Sequence, residues 1–362
     1  SLHAKRVQSV TNAVVGVVNA VSLSIHAIGA GLAQTSGLNA KHAIKQVDRL
    51  LSNPGLNVWA LFAHWVPYVL AATQEIVVAL DWTDFDADGH STIALYLVTA
   101  HGRATPLVWM TVPKARLKGR RNRYEDTVLL RLHEVVPPGV TVTILADRGF
   151  GDQHLYAHLT DLGFAFIIRF RGVVRVQSRD GEVRSAQEWV PANGKPRQLT
   201  DARVTADGYP VDSVVCVKAR GMKDAWCLAV GGGTCTGATA VKLYARRFTI
   251  EESFRDTKDP RYGLGLSATH VHDVRRRDRL LLICAMAMTL LTVLGAAGES
   301  LGMDRMLKAN TVKTRTHSLF RQGCHYYAAI PAMKQALLEP LVQRFGEYVL
   351  GQSVYVHAFG LK

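Results

Sequence analysis

Cysteines are few in this sequence, and they do not form any pattern typical of metal binding or disulfide formation. The chain of 362 residues contains five, an odd number, and no two of them form a Cys-x-x-Cys pair. They are Cys216, Cys227, Cys235, Cys284 and Cys324. The sequence therefore predicts neither a cysteine-ligated zinc site nor a disulfide framework. Such a composition fits a reducing cytosol best.

Long apolar runs and sorting signals are lacking as well. The apolar stretch 280–294 is interrupted by Thr289 and Thr292, and it is shorter than the about 20 residues that a bilayer span requires. It follows the basic segment 275–279 and is interpreted as a buried core helix. No secretory signal is visible at the beginning of the sequence. We therefore expect a cytoplasmic protein without a membrane partner.

Motifs of several other enzyme classes are missing. The sequence contains neither Gly-x-Ser-x-Gly nor His-Glu-x-x-His, which argues against a lipase-type hydrolase and a zinc protease. The glycine run 231–233 is not followed by Lys-Ser/Thr, so we do not expect it to bind phosphate as a P-loop. The segment 84–89, Asp-x-Asp-x-Asp-Gly, imitates a calcium loop, but its twelfth position is Leu95. We interpret it as the turn between two strands.

Acidic residues are scarce relative to basic ones. The chain has 43 Lys and Arg against 29 Asp and Glu, which gives a net charge of +14. Such an excess suggests a polyanionic partner, most often nucleic acid, although a merely basic protein would have the same composition. The hydrophobic fraction of 48% is ample for a large core and for two or three domains.

The first 70 residues have a helical pattern and few strand signals. The segment 39–51 predicts an amphipathic helix that is capped by Asn39 and turns Ile44, Val47 and Leu51 inward. Three cations on its outer face are Lys41, Lys45 and Arg49. This spacing is compatible with a helix-turn-helix reader of DNA and equally with an ordinary solvated basic face. We interpret residues 1–72 as a helical DNA-binding region.

From residue 74 onward the pattern is that of an α/β fold. Apolar runs bounded by turn residues predict five strands, at 75–80, 91–99, 105–112, 140–146 and 164–170. Two helices are predicted between them, at 122–135 and 152–162. The order of three strands, helix, strand, helix and strand is typical of an α/β fold with a mixed sheet.

The pattern changes again after residue 170. Residues 171–230 are rich in strand and turn signals, and two helical stretches follow at 238–258 and 273–295. The β segment is therefore interpreted as an insertion into the α/β domain. The predicted regions are 1–72 (helical), 73–170 (first part of the core), 171–235 (β insertion), 236–300 (second part of the core) and 301–362 (C-terminal helices).

Two aspartates are candidate metal ligands. Asp81 follows the first predicted strand, and Asp147 follows the fourth. The carboxyl ends of strands are where α/β sheets usually bind ligands. If these two strands are adjacent, the carboxylates converge, and Mg²⁺ or Mn²⁺ would relieve the cost of burying them. A single aspartate at a strand end is more often a turn or cap residue, so a metal site needs a third partner.

The segment 244–258 supplies such a partner. Wound as a helix, it places a phenol, two cations and a carboxylate within a sector of about 60°. These residues are Tyr244, Arg247, Glu251 and Lys258. The neighbouring Glu252 would point away from that sector. Asp81, Asp147 and Glu251 would suit two metal ions about 3.5–4 Å apart, one activating a hydroxyl nucleophile and one stabilising the leaving oxygen.

Three ordered motifs resemble those of DDE transposases of the bacterial insertion-sequence-four group. The third motif of that family, Tyr-x₂-Arg-x₃-Glu-x₆-Lys, is matched by residues 244–258. The first is similar to Leu-Asp-Trp-Thr at 80–83, and the second to Ala-Asp-Arg-Gly-Phe at 146–150. The resemblance covers about residues 74–295. It implies an RNase H-like mixed-sheet core interrupted by an all-β insertion, with helical regions at both ends.

The resemblance also implies a reaction, cut-and-paste transposition through a DNA hairpin. The two ions, Mg²⁺ or Mn²⁺, would be held by Asp81, Asp147 and Glu251. Phosphates near the reacting end would be gripped by Tyr244, Arg247 and Lys258. The implied partners are double-stranded DNA, both terminal inverted repeats and target, and a second copy of the chain in a homodimer.

Further DNA contacts are expected outside these motifs. In relatives a tryptophan on the last strand of the insertion assists base extrusion, and Trp226 occupies the matching place, where a core tryptophan is the equal alternative. Phe248 stands where close relatives often have tryptophan. Arg148 and the basic loop before the first core helix would contact the DNA backbone, unless that loop is merely solvated. The basic run consists of Lys114, Arg116, Lys118, Arg120, Arg121 and Arg123, and the expected DNA contacts within it are Lys118, Arg120 and Arg121.

Two other functions are compatible with these residues. An RNase H-like nuclease would use the same acidic triad and would cut DNA without end specificity. A domesticated, non-catalytic derivative would bind DNA without nicking it. The intact triad argues against the second alternative.

Overall fold

The computed structural model describes residues 3–233 and 235–351, which form helices at both ends of a large sheet. The described helices are α1 (Ala4–Ala20), α2 (Ile25–Ser36), α3 (Ala40–Ser52), α4 (Val58–Leu70), α5 (Arg121–Val135), α6 (Gln153–Asp161), α7 (Gly237–Ala245), α8 (Thr249–Lys258), α9 (Val274–Ser300), α10 (Leu319–Ala329) and α11 (Gln335–Leu350). The described strands are β1 (Glu75–Phe85), β2 (His90–Val98), β3 (Ala104–Pro113), β4 (Thr141–Ala146), β5 (Ala165–Phe170), β6 (Arg175–Gln177), β7 (Val183–Ser185), β8 (Arg197–Val204), β9 (Tyr209–Val217) and β10 (Trp226–Gly231). The end of the C-terminal region predicted for 301–362 lies outside the described residues.

All these strands belong to one mixed sheet in the order β3-β2-β1-β4-β5-β10-β9-β8-β6-β7. The five strands and two helices predicted between residues 74 and 170 are present, and their bounds agree within a few residues except at the end of β1. Strand β1 pairs in parallel with β4, with Leu80 opposite Ala146. The expected adjacency of the first and fourth strands is therefore confirmed. It brings the residues after Leu80 and Ala146 to the same edge of the parallel core.

Strand β1 is longer than the sequence predicts. It continues through Asp81 to Phe85 because it pairs with β2 in an antiparallel hairpin that closes with Phe85 opposite His90. Asp81 therefore lies inside a strand and not at its tip, which corrects the prediction. The segment 86–88 forms the expected turn, and Gly89 follows at φ 63°, where a side chain would be strained.

The predicted β insertion does contain strands, but these extend the core sheet. Strand β10 pairs antiparallel with β5, with Cys227 opposite Phe170, and β9 continues from β10. This pairing uses the backbone groups that β5 would otherwise leave open at an edge. The segment 171–233 therefore widens the same sheet and does not form a separate layer.

The N-terminal helices pack onto the same hydrophobic core as the sheet. Asn39 caps α3 by accepting a hydrogen bond from the amide of Lys41, and Val47 and Leu51 are buried, as predicted, whereas Ile44 is only partly buried. The Trp65 indole of α4 donates to the Pro106 carbonyl of β3 at 2.8 Å. The three cations of the outer face of α3 are exposed: Lys41, Lys45 and Arg49.

Helix α9 is the central helix of the described chain. Within the described residues it is the one helix long and apolar enough to cross a bilayer by itself. However, 89% of its most apolar 18-residue stretch is buried inside the protein. It packs against β3, α1, α10 and α11. At its start, the buried Arg279 donates to the carbonyls of Leu51 and Leu56 at 2.8 and 3.0 Å. This is the buried core helix that the sequence predicts, and it ties the N-terminal helices to the sheet.

Helices α9 and α10 approach each other through two glycines. A β-carbon at Gly295 would overlap the Leu319 carbonyl, and one at Gly323 would overlap the Leu291 carbonyl. Both obstacles are backbone atoms, so a side-chain rotation cannot relieve them. The packing of the C-terminal helices therefore depends on these two positions.

We expect Gly323→Ala to lower the free energy of unfolding by about 1–3 kcal/mol, the usual cost of overpacking a core. Gly346→Ala is the matched control, because a β-carbon at this position of α11 would meet no atom of another element within 4 Å. That change should be neutral or stabilise the protein by up to about 1 kcal/mol, since alanine favours helix over glycine. Chemical denaturation measures both. Equal stability of Gly323→Ala and wild type would contradict the packing.

Candidate active site

The segment 244–258 is not one continuous helix, which corrects the prediction. Helix α7 ends at Ala245, a 3-10 turn covers Arg246–Phe248, and α8 begins at Thr249. A 3-10 turn has about three residues per turn, so side chains three apart point in the same direction. Tyr244 and Arg247 are three apart and are both buried, with 1% and 5% exposure. The tighter turn thus aligns the buried phenol with the buried guanidinium.

Arg247 joins two of the predicted acidic residues. Its Nη1 lies 3.3 Å from Asp81 Oδ2, and its Nη2 donates to Glu251 Oε1 at 2.8 Å. The Arg247 side chain is 6% exposed, Asp81 19% and Glu251 52%. The structure therefore brings Asp81 and Glu251 together at the Arg247 guanidinium, and the two carboxylates are more exposed to solvent than the arginine.

Asp147 follows β4 beside Asp81. Its Oδ1 accepts a hydrogen bond from the Gly149 amide at 2.7 Å, which fixes the turn after the strand. The side chain of Phe150 is buried and anchors this turn in the core. The neighbouring Arg148 is exposed. The register of β1 and β4 thus places Asp147 near Asp81.

The charges of this cluster interact. Burial raises the pKa of Asp81 to about 6, and the negative charges of Asp147 and Glu251 raise it as well. The Arg247 guanidinium and the Trp82 amide act in the opposite direction and lower that pKa. When Arg247 is the one cation beside it, the Asp81 carboxylate therefore binds a proton more readily than an ordinary aspartate does.

Lys258 lies at the other end of α8. Its Nζ donates to the Asp84 carbonyl at 2.7 Å and to Thr83 Oγ1 at 3.2 Å. Burial lowers the pKa of Lys258, since the charged ammonium is partly removed from water. The lysine thus lies beside the last residues of β1, a few residues beyond Asp81.

The two neighbouring glutamates of α8 have different surroundings. Glu252 accepts a hydrogen bond from Arg255 at 2.6 Å and lies 3.8 Å from Arg103. Arg103 in turn donates to the buried Asp256 at 2.6 Å. Glu251 contacts Arg247 in the acidic cluster, whereas Glu252 belongs to this separate ionic group.

The fold and this cluster agree with a family match. Residues 72–290 match the family model described as the transposase DDE domain, which is more than half of the chain. The chain belongs to the DDE transposase family. No curated protein matches it.

The matched region of the transposase contains its acidic cluster and most of α9. Transposases of this family use divalent metal ions, and three carboxylates are ligands that Mg²⁺ and Mn²⁺ prefer. Within the described residues, however, no three His, Cys, Asp or Glu side chains already stand in an arrangement that holds a metal ion. The Arg247 guanidinium lies between Asp81 and Glu251 instead. Two of the predicted metal ligands are thus bridged by a cation of the protein itself.

An aromatic cluster borders the acidic cluster of the transposase. The rings of Trp226 and Tyr244 meet edge to face, with centroids 4.9 Å apart, and Trp226 and Phe248 lie 6.1 Å apart. The Arg247 guanidinium lies over the Phe248 ring at 4.9 Å. Trp226 is partly buried and Phe248 is 42% exposed. The two aromatic residues therefore form one surface beside Arg247.

The basic loop lies near the same edge of the sheet. Lys118, Arg120 and Arg121 are exposed, and the Arg121 guanidinium lies 5.2 Å from the centroid of the Trp82 ring. Lys114, at the beginning of this loop, forms ion pairs with Asp84, at 2.9 Å, and with Asp86. The charge of Lys114 is therefore partly compensated within the protein.

Some contacts of the site are not visible in the sequence. The Trp82 indole donates to Glu125 Oε1 at 2.8 Å, and burial raises the pKa of Glu125. The pair is 43 residues apart, so local periodicity carries no signal of it. A tryptophan directly after Asp81 is the available hint.

The exposed cations of α3 belong to a helix that packs against α1, α2 and α9.

The raised pKa of Asp81 gives a stability prediction for the metal-free protein. The pKa of Asp81 in the folded protein, about 6, exceeds the ordinary value of 3.8, so the folded protein binds this proton more tightly than the unfolded chain does. Protonation of Asp81 therefore stabilises the fold at low pH, and this stabilisation is lost as the pH rises through about 6. In EDTA at pH 8, Asp81→Asn should therefore be more stable than wild type by about 2–3 kcal/mol, from about 1.4 kcal/mol per pH unit.

Denaturant unfolding at pH 4 and pH 8 measures this difference. At pH 4 the advantage of Asp81→Asn should vanish, because the wild-type carboxyl is then protonated as well. A difference that is the same at both pH values would show that Asp81 is not destabilised by its charge.

Proposed function

We propose that this DDE transposase is a cut-and-paste enzyme of the insertion-sequence-four group. It would cleave transposon ends through a DNA hairpin and join them to target DNA. The observation that carries the proposal is the arginine bridge: Arg247 holds Asp81 and Glu251 within one cluster beside Asp147. A structural ion pair alone would not need a third carboxylate next to it.

The acidic triad would hold two Mg²⁺ or Mn²⁺ ions through Asp81, Asp147 and Glu251. When bound, such ions activate an oxygen nucleophile and stabilise the leaving oxygen. The protein's own contribution is the orientation of the three carboxylates by β1, β4 and α8. Ions held by these carboxylates would replace the guanidinium as their counter-charge, and Arg247 would then contribute a positive charge beside the reacting phosphate, a group that an arginine can bind in bidentate fashion.

The DNA backbone would follow the cations around this cluster. Lys258 and Tyr244 would contact phosphates near the reacting end together with Arg247. Duplex DNA farther away would contact exposed cations, whose binding is independent of sequence and sensitive to salt. These are Arg148, Lys118, Arg120 and Arg121 near the site and Lys41, Lys45 and Arg49 on α3. The protein would act in the bacterial cytoplasm as a homodimer that pairs two transposon ends.

The triad predicts a sharp loss of activity on substitution. Asp81→Ala, Asp147→Ala and Glu251→Gln should each reduce Mg²⁺-dependent cleavage of the element's own inverted repeats by at least about 100-fold, because even outer-shell partners of a metal cost about 10–100-fold. Glu252→Gln is the matched control, since Glu252 pairs with Arg255 outside the cluster, and it should cleave like wild type.

Gel assays on labelled end DNA, with unrelated duplex DNA as competitor, measure this loss. If all three triad variants cleave as well as wild type, the site assignment is wrong. Cleavage that unrelated DNA competes away equally would indicate a nuclease without end specificity. Metal-independent binding with no nicking would indicate a non-catalytic derivative.

The aromatic cluster predicts a defect at the hairpin step. A flipped base stacks on an indole with about 1–3 kcal/mol, so Trp226→Ala should slow hairpin formation by about tenfold to hundredfold while the first nick is unchanged. Trp226→Phe keeps a stacking ring and should recover most of the rate. Denaturing gels separate nicked from hairpin products. Equal loss of nicking and hairpin formation in Trp226→Ala would assign Trp226 to the core.

A further inference from the structure

The connection between α8 and α9 ends in an extended segment beside the β1–β2 turn. Thr269 and Asp273, at its two ends, have extended backbone angles, with φ −93° and −97° and ψ 122° and 124°. Side chains two residues apart on an extended chain point to the same side. His270 and His272 are two residues apart. Their Nδ1 atoms both lie within 4.0 Å of Asp88 Oδ1, so both rings face this turn residue.

Asp88 has one satisfied and one unsatisfied oxygen. Its side chain is 3% exposed, and Oδ2 forms an ion pair with Arg277. Oδ1 is shielded from solvent and has no hydrogen-bond partner. It lies 3.7 Å from His270 Nδ1 and 4.0 Å from His272 Nδ1. A buried carboxylate oxygen without a hydrogen bond is costly, so the site favours a ligand that binds Oδ1.

We propose that Asp88, His270 and His272 form a second metal site, which takes an ion of the zinc class. Nitrogen and oxygen ligands at the usual zinc bond lengths are about 3.4 Å apart in tetrahedral geometry. Without an ion, these three side chains do not yet stand in a metal-binding arrangement. The present separations are somewhat larger, and both imidazoles are exposed, at 70% and 84%. Rotation of the two exposed side chains would close the remaining distance, and water would complete the coordination.

The donor set distinguishes this site from the acidic triad. Two imidazole nitrogens and one carboxylate oxygen favour Zn²⁺, Co²⁺ or Ni²⁺, whereas a set of carboxylate oxygens suits Mg²⁺ and Mn²⁺. An excess of Mg²⁺ would therefore fill the triad and leave the second site to zinc.

Buried groups behind Asp88 fix the carboxylate. Arg277, which is fully buried, binds Oδ2 and also donates to His90 Nδ1 at 3.2 Å. Outer contacts of this kind orient a metal ligand. The His90 ring also forms a hydrogen bond with the backbone of His272. Asp88 and the backbone of His272 are therefore held in place before an ion binds.

A bound ion would fasten the segment 269–273 to the β1–β2 hairpin. That hairpin includes Asp84, whose carbonyl accepts a hydrogen bond from Lys258. The ion would thus stabilise the connection between the lysine-bearing helix α8 and the core helix α9. This role requires nothing of the transposition mechanism, so the two proposals can fail separately.

Zinc titration of the untagged full-length protein in millimolar Mg²⁺ tests the site. Isothermal calorimetry should find one equivalent of Zn²⁺ that Mg²⁺ does not displace, and Co²⁺ should give the absorption of a low-symmetry nitrogen-bound ion. His270→Ala and His272→Ala should each weaken this binding at least about tenfold, because one of three protein ligands is lost. Zn²⁺ should raise the Tm of wild type but not that of the double variant.

His42→Ala removes an exposed histidine of α3 and should bind Zn²⁺ like wild type. The substituted histidines are exposed, so loss of folding does not confuse the result, whereas Asp88→Asn would also disturb the buried Arg277. Unchanged zinc affinity in both histidine variants would overturn the proposal. Displacement of Zn²⁺ by Mg²⁺ would do so as well, since the ion would then lie in the acidic triad.

Discussion

A buried arginine among carboxylates is the interaction on which this site depends. Arg247 is almost completely shielded from water, and a charge in that position is tolerated only when it is paired and hydrogen-bonded. Asp81 and Glu251 supply the pairing. Conversely, three carboxylates around one point would repel each other without a cation. The arginine and the acids therefore offset part of each other's burial cost in the metal-free protein.

The ion pair leaves part of the charge of the cluster uncompensated. A buried pair contributes little net stability, because desolvation offsets the Coulomb attraction. Asp81 is left with a raised pKa even beside the guanidinium, so its negative charge is under-compensated. A site in this condition gains free energy from a divalent cation. The same uncompensated charge that makes the cluster costly for folding would favour the metal ions of the proposed function.

Local patterns in the sequence predict much of this arrangement. Apolar runs identify β1, β4 and β5. Asp81 and Asp147 are recognised as candidate site residues because each directly follows one of the first two runs. The contrast between Glu251 and Glu252 is visible in helical spacing. The 3-10 turn at 246–248 and the continuation of β1 to Phe85 are not, because tertiary burial and hairpin pairing decide them. Contacts such as Trp82 with Glu125 join distant segments and leave no periodic signal.

The single sheet fixes the position of the aromatic cluster relative to the acidic cluster. Asp147 directly follows β4, β4 pairs with β5, and β5 pairs with β10, the strand that begins with Trp226. Every step is a ladder of backbone hydrogen bonds, which resists sliding because a slip of one residue turns each side chain to the opposite face. The distance between Trp226 and the acids is thus set by strand register and not by a flexible linker. An insertion built as a separate layer would have lacked that constraint, and the aromatic cluster could then move relative to the acidic cluster.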